Sequence, residues 1–507
     1  MLLGELLATS RDEKAALIFE GRAISYAALD DAANRFCHLL GALRIDSGER
    51  VSLLMGNEPL TVEAYFGLFK AGVVANPINN RLTAEEVRFV LEHSESRLLL
   101  TTPEYAALAA RALEGLATPP QVMVFGDLPA GVRLDALSAR LLAEQPSAPR
   151  KVDGIGGASP CLLIYTSGTT GRPKGVLLSQ ASVWADAAAL SHGFRIDHNH
   201  TALCLMPLFH CNALIVTHLS TFIGHGTVVL CRRFSASDHW RLVETYGVRS
   251  FSAPPTVLAI LLEREAEAHG RAIHLDFVKT GSAPLTVDLA ERFERRFGKD
   301  ILVEGWGLTE GTATSTLNPR AVGGRRRIGS VGQPLPGQEI AVFDEAGKPV
   351  APGRVGELMI RSNTLMLGYF RDPAATAKAL VGGWLRTGDL GYVDTENYVY
   401  LSGRKKEIII RGGENVSPLE VEAVIARHPA VKEVAVGGLP DRIWGEVVAA
   451  CVVPSHALEA SEIIDHCRAN LADFKVPVRV AFVDSLPRNA VGKVVRRRLR
   501  EFFPAET

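Results

Sequence analysis

The run Tyr165-Thr-Ser-Gly-Thr-Thr-Gly-Arg-Pro-Lys-Gly175 constrains this chain more than any other stretch. Its glycines let backbone N–H groups come close to oxyanions, its serine and threonine hydroxyls donate further hydrogen bonds, and Arg172 and Lys174 offset negative charge. Such a loop suits a polyphosphate. It is not a Walker A loop, which needs G-x-x-x-x-G-K-[ST] opening a helix, because Pro173 precedes Lys174 and Gly175 follows it. Apolar runs at 161–165 and 176–178 flank it, so it reads as a loop between two strands. Thr166, Ser167, Gly168, Thr169, Thr170, Gly171 and Lys174 are the candidate nucleotide ligands on it.

The chain is too long for one core. Its 507 residues, 47% of them hydrophobic, exceed the ~250–300 that a single core usually serves, so more than one domain is expected. The 55 basic and 56 acidic residues leave a formal charge of −1, which gives no bulk attraction to nucleic acid or to an anionic membrane. Seven cysteines, odd in number and without a C-x-x-C pair, suit reduced thiols in the cytoplasm rather than disulfides or a zinc site. The first residues lack the basic start and apolar stretch of a signal peptide, and no run of ~18 apolar residues suggests a spanning helix.

Strand-like and helix-like segments alternate through the first 150 residues. Apolar runs at 51–55, 73–77 and 97–101 read as strands, 59–70 has helical spacing, and Thr83-Ala-Glu-Glu86 is a capping box. This rhythm predicts an α/β fold of parallel-rich sheets covered by helices. Residues 118–158, richer in Pro, Ala and Gly, read as a surface connection, and the pattern beyond 339 as a small β subdomain. A boundary near 402–406 divides an N-terminal domain, 1–402, from a small α/β C-terminal domain, 403–507. In the latter, Ser417-Pro-Leu-Glu420 is a second capping box, and 433–437 and 447–453 are strands.

Further motifs follow the loop in order: Pro207-Leu-Phe-His210, Gly281-Ser-Ala-Pro284, Gly305-Trp-Gly-Leu-Thr-Glu310, Thr387-Gly-Asp389, Gly403-Arg-Lys-Lys406, Arg411-Gly-Gly-Glu-Asn415 and Pro487-Arg-Asn-Ala-Val-Gly-Lys493. Each is weak alone. Together, over nearly the whole chain, they resemble the adenylate-forming superfamily of acyl-CoA synthetases, carrier-loading adenylation domains and beetle luciferases, most closely its acyl-CoA synthetase branch. The resemblance implies a two-step reaction. A carboxylate attacks the α-phosphorus of ATP to give an acyl-adenylate and pyrophosphate, and a thiol then displaces AMP. It also implies that the C-terminal domain is mobile.

The resemblance assigns roles residue by residue. Lys493 bridges carboxylate and α-phosphate; read alone, it is a solvated lysine beside the basic stretch 496–500. Glu310 binds magnesium, as one carboxylate among nucleotide oxygens, and Thr309 hydrogen-bonds the α-phosphate. Trp306, where many relatives carry tyrosine, offers a larger face to adenine but no hydroxyl; Gly307 follows it. Asp389 accepts both ribose hydroxyls side by side, helped by Arg404. Gly281, Ser282, Ala283 and Pro284 line the adenine and acyl pockets. His210 gates the carboxylate pocket, with Asn212, Ser252, Gly305 and Gly311 around the acyl group. Lys406 is the hinge, and Gly412 and Gly413 line the path of the CoA pantetheine arm. One departure stands out: Ser179-Gln180 occupies the place where many relatives have Ser/Thr-His.

The segment Met206-Pro-Leu-Phe-His-Cys-Asn-Ala213 lacks the aspartate that pairs an amino-acid substrate's α-amine in amino-acid-activating relatives, and no unpaired arginine stands out to bind a second carboxylate. The expected substrate is a hydrophobic, non-amino-acid carboxylate. ATP, Mg2+ and coenzyme A are the expected cofactors and co-substrates. A carrier protein is the alternative acceptor, a homodimer is an open option, and a non-catalytic acyl-nucleotide binding protein is the reading from a different class.

Overall fold

The computed structural model describes residues 1–503 except 11, 167–172, 282–284, 320–325, 413 and 490–492. Among them four sheets form. The strands Arg50–Leu54, Val74–Pro77, Leu98–Thr101 and Gln121–Val124 run parallel in an eight-stranded sheet and alternate with the helices Pro59–Ala71, Ala84–Ser94 and Pro103–Leu113. This is the βαβ rhythm expected of the first third. The capping box forms as expected: Thr83 Oγ1 accepts from the Glu86 N–H, and Glu86 Oε2 accepts from the Thr83 N–H at 2.8 Å.

The glycine-rich run does lie between two strands. Pro160–Thr166 and Lys174–Ser179 pair antiparallel, with Thr166 opposite Lys174 at the mouth of the hairpin. Gly368–Tyr369 adds an edge strand beside the second of them. The helix Gln180–Gly193 leaves the hairpin and packs on the π-helix Asn212–Leu219. That π-helix lies against the second large sheet, nine strands in all, whose centre (Thr227–Leu230, Thr201–Cys204, Ser250–Ala253, Phe277–Gly281, Leu302–Trp306) is parallel. The carboxyl end of Leu302–Trp306 carries the Trp306-to-Glu310 motif. A third, antiparallel sheet of five strands spans residues 338–404 and ends with Val399–Arg404. The fourth begins with Ile409–Arg411 and is built around the hairpin Val431–Asp441 and Gly445–Pro454, over its own core of Ile409, Val421, Ile425, Val436 and Val448. The architecture is thus a large N-terminal α/β domain with a β subdomain, followed by a small α/β domain.

Two local expectations need correction. Residues 118–158 are not only a surface connection: Gln121–Val124 is a strand of the first large sheet, with Met123 fully buried. Pro119 and Pro120 just before it, and the short apolar run, hid it in a loop-like composition. The box at Ser417 is only half made. Ser417 Oγ accepts from the Glu420 N–H, but Glu420 turns its carboxylate to Lys475 Nζ at 2.6 Å. No helix among the described residues is long and apolar enough to cross a membrane.

Gln180 has a structural task. Its Oε1 accepts from the Leu3 N–H at 3.0 Å and its Nε2 donates to the Phe69 carbonyl at 3.4 Å, so it pins the buried N-terminal turn (Leu3, Leu6, Leu7) to the helix that follows the hairpin. A buried donor left without its partner costs roughly 1–3 kcal/mol. Gln180→Ala is therefore expected to lower the unfolding temperature and to expose the first residues to limited proteolysis. Identical melting and cleavage in variant and parent would show that Gln180 does not carry this anchor.

Candidate active site

The end of the second large sheet and the β subdomain meet at Asp389. This carboxylate sits in the strand Trp384–Val393, opposite Arg404 in the register of Val399–Arg404. Its Oδ1 pairs with Arg404 Nε at 2.8 Å, and its Oδ2 accepts from the Trp306 indole N–H at 2.9 Å. Trp306 is only 7% exposed. The sequence reading gave Trp306 no polar partner because it lacks tyrosine's hydroxyl. The indole N–H supplies one, joining the end of the central sheet to the β subdomain.

Thr309, Glu310 and Gly311 form a short 3-10 turn just beyond Trp306. Gly307 is required there, because a Cβ would come within 2.3 Å of the Ala313 carbonyl oxygen. Thr312, a β-branched residue, ends the turn at φ +80°, a strained conformation of the kind held at functional sites. Glu310 Oε1 accepts from the Tyr369 hydroxyl at 2.9 Å, and Lys174 Nζ lies 4.7 Å above the same tyrosine ring. Tyr369 thus connects Lys174 of the phosphate loop to the candidate magnesium ligand. Thr166 is at the hairpin mouth. Ser167, Gly168, Thr169, Thr170 and Gly171, like Arg172, lie outside the described residues, as do Ser282, Ala283, Pro284 and Gly413.

Lys493 comes to this space from the C-terminal domain. Its backbone N–H is held by Asn489 Oδ1 at 2.9 Å. The side chain is open to solvent along part of its surface. Burial by the surrounding protein and the nearby Arg404 push its pKa below the ordinary lysine value, while Asp389 and Glu310 pull it up. The same ammonium, after burial, helps push His210 down to about 4. Lys493, Arg404, Asp389, Glu310 and His210 are therefore electrostatic neighbours, and His210 is neutral at physiological pH. His210 Nε2 is buried with no hydrogen-bond partner among the described residues.

The expected acyl-pocket residues also converge. Asn212 opens the π-helix, and its Nδ2 donates to Ser252 Oγ at 2.8 Å. Gly281 and Gly305 are register partners on adjacent strands, packed so closely that a Cβ on Gly281 would stand 2.5 Å from the Gly305 carbonyl oxygen. Gly311 is buried beside Leu308. Three residues here escaped the sequence reading: Tyr369, Asp186 and Lys279. Lys279 had a signal, because a lysine inside Phe-Val-Lys-Thr-Gly is out of place in a buried strand. Burial lowers its pKa and raises that of Asp186. Tyr369 and Asp186 had none, being ordinary residues in an edge strand and in the helix Gln180–Gly193.

At the candidate hinge, Ser417 Oγ donates to the Ser402 carbonyl and the N–H groups of Glu407 and Ile408 bond to the Arg404 carbonyl, so Lys406 lies inside a tight turn. Burial, then Arg404, lowers the Lys406 pKa. Gly412 has φ +60° and its N–H bonds to the Trp444 carbonyl; a Cβ there would touch the Trp444 ring at 2.7 Å. Among the described residues no cluster of three or more His, Cys, Asp or Glu could hold a metal by itself, so a cation at Glu310 needs oxygens from elsewhere.

Residues 6–370 match the family model of the AMP-binding enzymes, and residues 420–493 that of the AMP-binding enzyme C-terminal domain. The sulfoacetate–CoA ligase of Cupriavidus necator is 37% identical over 94% of this chain and 92% of its own length. The fatty acid–[acyl-carrier-protein] ligase ScoC of Streptomyces coeruleorubidus is 35% identical over 96% and 93%. The crystal structure of ATP-bound MatB from Rhodopseudomonas palustris matches the fold with a TM-score of 0.89 at 28% identity, covering 99% of both chains. The chain belongs to the AMP-binding enzyme family, in its acyl-CoA synthetase branch.

Proposed function

We propose that this protein is an ATP-dependent acid–CoA ligase that works through an acyl-adenylate. The observation that carries the reading is the position of Lys493. A cation from the small domain lies within electrostatic range of Asp389, Glu310 and His210. The first step brings a carboxylate against a polyphosphate, so positive charge and in-line placement are what the protein must provide. Lys493 and Lys174 supply charge, and Thr309 and the phosphate loop supply hydrogen bonds. Asp389 orients the ribose and is itself held by Trp306 and Arg404. The neutral imidazole of His210 borders the carboxylate without competing for it. Glu310 is oriented by Tyr369 and fits a hard cation that takes its remaining oxygens from the nucleotide; magnesium there would neutralise phosphate charge.

For the second step the division is placed between residues 402 and 403, with Lys406 as the hinge and Gly412-Gly413 lining the path of the thiol. The arrangement with Lys493 within electrostatic range of Asp389 and Glu310 suits adenylation. Lys432 and Glu263 join the two domains at 2.8 Å, but both are half exposed, and exposed pairs of this kind contribute little. Rotation about 406 is therefore not blocked by that pair. Coenzyme A is the acceptor favoured by Arg411-Gly-Gly-Glu-Asn415; a carrier protein is the second reading, in view of the carrier-loading relative. Pyrophosphate release with a panel of acids, followed by thioester detection with coenzyme A or a carrier protein, tests both. Release without any thioester would remove the ligase reading.

Lys493→Ala should lower acyl-adenylate formation by roughly 10²–10³, by analogy with the loss of one transition-state donor, and spare thioester formation from supplied acyl-adenylate. Equal losses in both half-reactions would contradict the assignment. Trp306→Phe keeps an aromatic face but removes the donor to Asp389. Hydrogen bonds to charged groups are worth ~1.5–3 kcal/mol, so the KM for ATP should rise at least roughly tenfold with acid preference unchanged. An unchanged KM would leave Trp306 as packing alone. Lys406→Pro fixes φ near −65°. Pyrophosphate exchange should survive while thioester formation collapses; undiminished thioester formation would take the hinge away from Lys406.

A further inference from the structure

The basic stretch 496–500 contains one arginine unlike the rest. Arg497, Arg498 and Arg500 are exposed, and Arg498 pairs with Glu501 on the same turn at 3.0 Å. Arg496 turns inward. Its side chain is 16% exposed and meets two carboxylates: Nη2 donates to Glu422 Oε2 at 2.8 Å, and Nε lies 3.5 Å from Glu407 Oε2.

The two carboxylates differ in what they belong to. Glu422 is part of the small domain's interior. It sits in the helix Pro418–Ile425, and its Oε1 accepts from the Val436 N–H at 2.7 Å. Burial pushes its pKa up to about 7, against the pull of Arg496. That half of the contact is an ordinary buried pair serving the fold. Glu407 is the residue after Lys406. Its N–H bonds to the Arg404 carbonyl at 2.8 Å, so it lies within the hinge turn. Its side chain is 32% exposed and has water within reach, yet it faces Arg496.

Three positions before Arg496 comes Lys493, on a closed loop. The Val495 N–H bonds to the Pro487 carbonyl at 2.8 Å, the Asn489 N–H bonds to the Lys493 carbonyl at 2.9 Å, and Arg488 bridges antiparallel to Val494. A loop with a stem closed in this way moves as a unit, so whatever grips the stem sets where the ammonium reaches. Arg488 ties the stem to Glu433 at 3.0 Å, inside the small domain. Arg496 ties it to the hinge turn. The contacts close a ring. Asp389 holds Arg404, Arg404 begins the turn, Glu407 leaves the turn toward Arg496, and Arg496 carries the stem of Lys493. The Lys493 ammonium lies within electrostatic range of Asp389 again.

We propose that Arg496 is a positioning residue for the adenylation step: through Glu407 it fixes the Lys493 loop to the hinge turn, so that the torsion at Lys406 sets the place of the ammonium. This rests on the ligase reading above, with Lys493 as its cation and Lys406 as its hinge. Arg496 acts through Lys493. The thioester step, in which that lysine has been carried away from the nucleotide, does not depend on the link.

The test measures both half-reactions on the full chain, with an acid that the panel above selects: pyrophosphate exchange, and thioester formation from supplied acyl-adenylate. Glu407→Gln is the deciding variant, because it cuts the link to the hinge and leaves the buried Arg496–Glu422 pair in place. Its kcat for pyrophosphate exchange should fall by roughly ten- to a hundredfold, the range that a displacement of ~1 Å produces. The KM for ATP and the thioester step should stay unchanged. Arg496→Met with Glu422→Gln removes both charges of the buried pair and keeps an acceptor for Val436, and it should show the same split. Arg498→Met takes a charge from the same stretch and should alter neither half-reaction. Exchange at the parental rate in Glu407→Gln, equal losses in both half-reactions, or the same split in Arg498→Met would each overturn the proposal. Lys493→Ala measured alongside separates the two readings. If it abolishes exchange, the ligase reading stands whatever becomes of Arg496; if exchange is undiminished, both fall.

Discussion

The bonds made by one carboxylate hold the site together. Asp389 accepts from Trp306, at the end of the central sheet, and from Arg404, in the last strand of the β subdomain. Asp389 is 5% exposed, so these bonds act where water competes little and a charged acceptor is worth most. A carboxylate has about four acceptor sites. Two donors therefore fix its plane without exhausting its capacity, which is what a group meant to receive a diol requires. Arg404 is also the last residue before the turn that leads to the small domain. The ribose grip and the start of the turn are thus consecutive parts of one chain.

The rest of the site is an exercise in placing cations without neutralising them. Lys493 feels Asp389 and Glu310 at a distance, and Lys174 rests over the face of Tyr369. Glu310 takes a neutral phenol as its partner instead of a cation. Glu310 and Lys174 are oriented by a hydrogen bond and a ring, and stay available to a polyanionic substrate. Pre-set charges of this kind cost no reorganisation when the reaction occurs. The strained Thr312 closes the turn that presents Glu310, so local backbone energy is held at the point where orientation matters.

Much of this could be read from the chain before any coordinates. The hairpin around the phosphate loop follows from two apolar runs bracketing glycines, and the alternating sheet from the runs at 51–55, 73–77 and 97–101. Motif residues such as Asp389 and Arg404 do meet, as antiparallel register partners. What stayed hidden depends on contacts between distant segments. Nothing local marks Tyr369, because its work comes from lying opposite Glu310. Gln180 looked like a loss beside the usual histidine, and its use comes from the Leu3 N–H, 177 positions away, and the Phe69 carbonyl. Lys279 was legible as an anomaly in a buried strand, but its partner Thr314 lies 35 positions away. The half-made cap at Ser417 shows the same limit: Lys475, far along the chain, takes the Glu420 carboxylate that the local pattern reserved for the helix end.

The Leu3–Gln180 bond bears on how the protein can be handled. Leu3, Leu6 and Leu7 are buried, and Gln180 is the first residue of the helix that leaves the phosphate hairpin. The first turn of the chain is therefore part of the wall behind the base of that hairpin, at the end away from the loop, and not a free lead-in. Met1, at 66% exposure, is the last point at which an affinity tag or fluorophore can be joined without entering that wall. Trimming back to the first strand at Ala15 would remove an anchor of the helix that starts at Gln180, more than 150 positions further on, so the damage would appear far from the trimmed end.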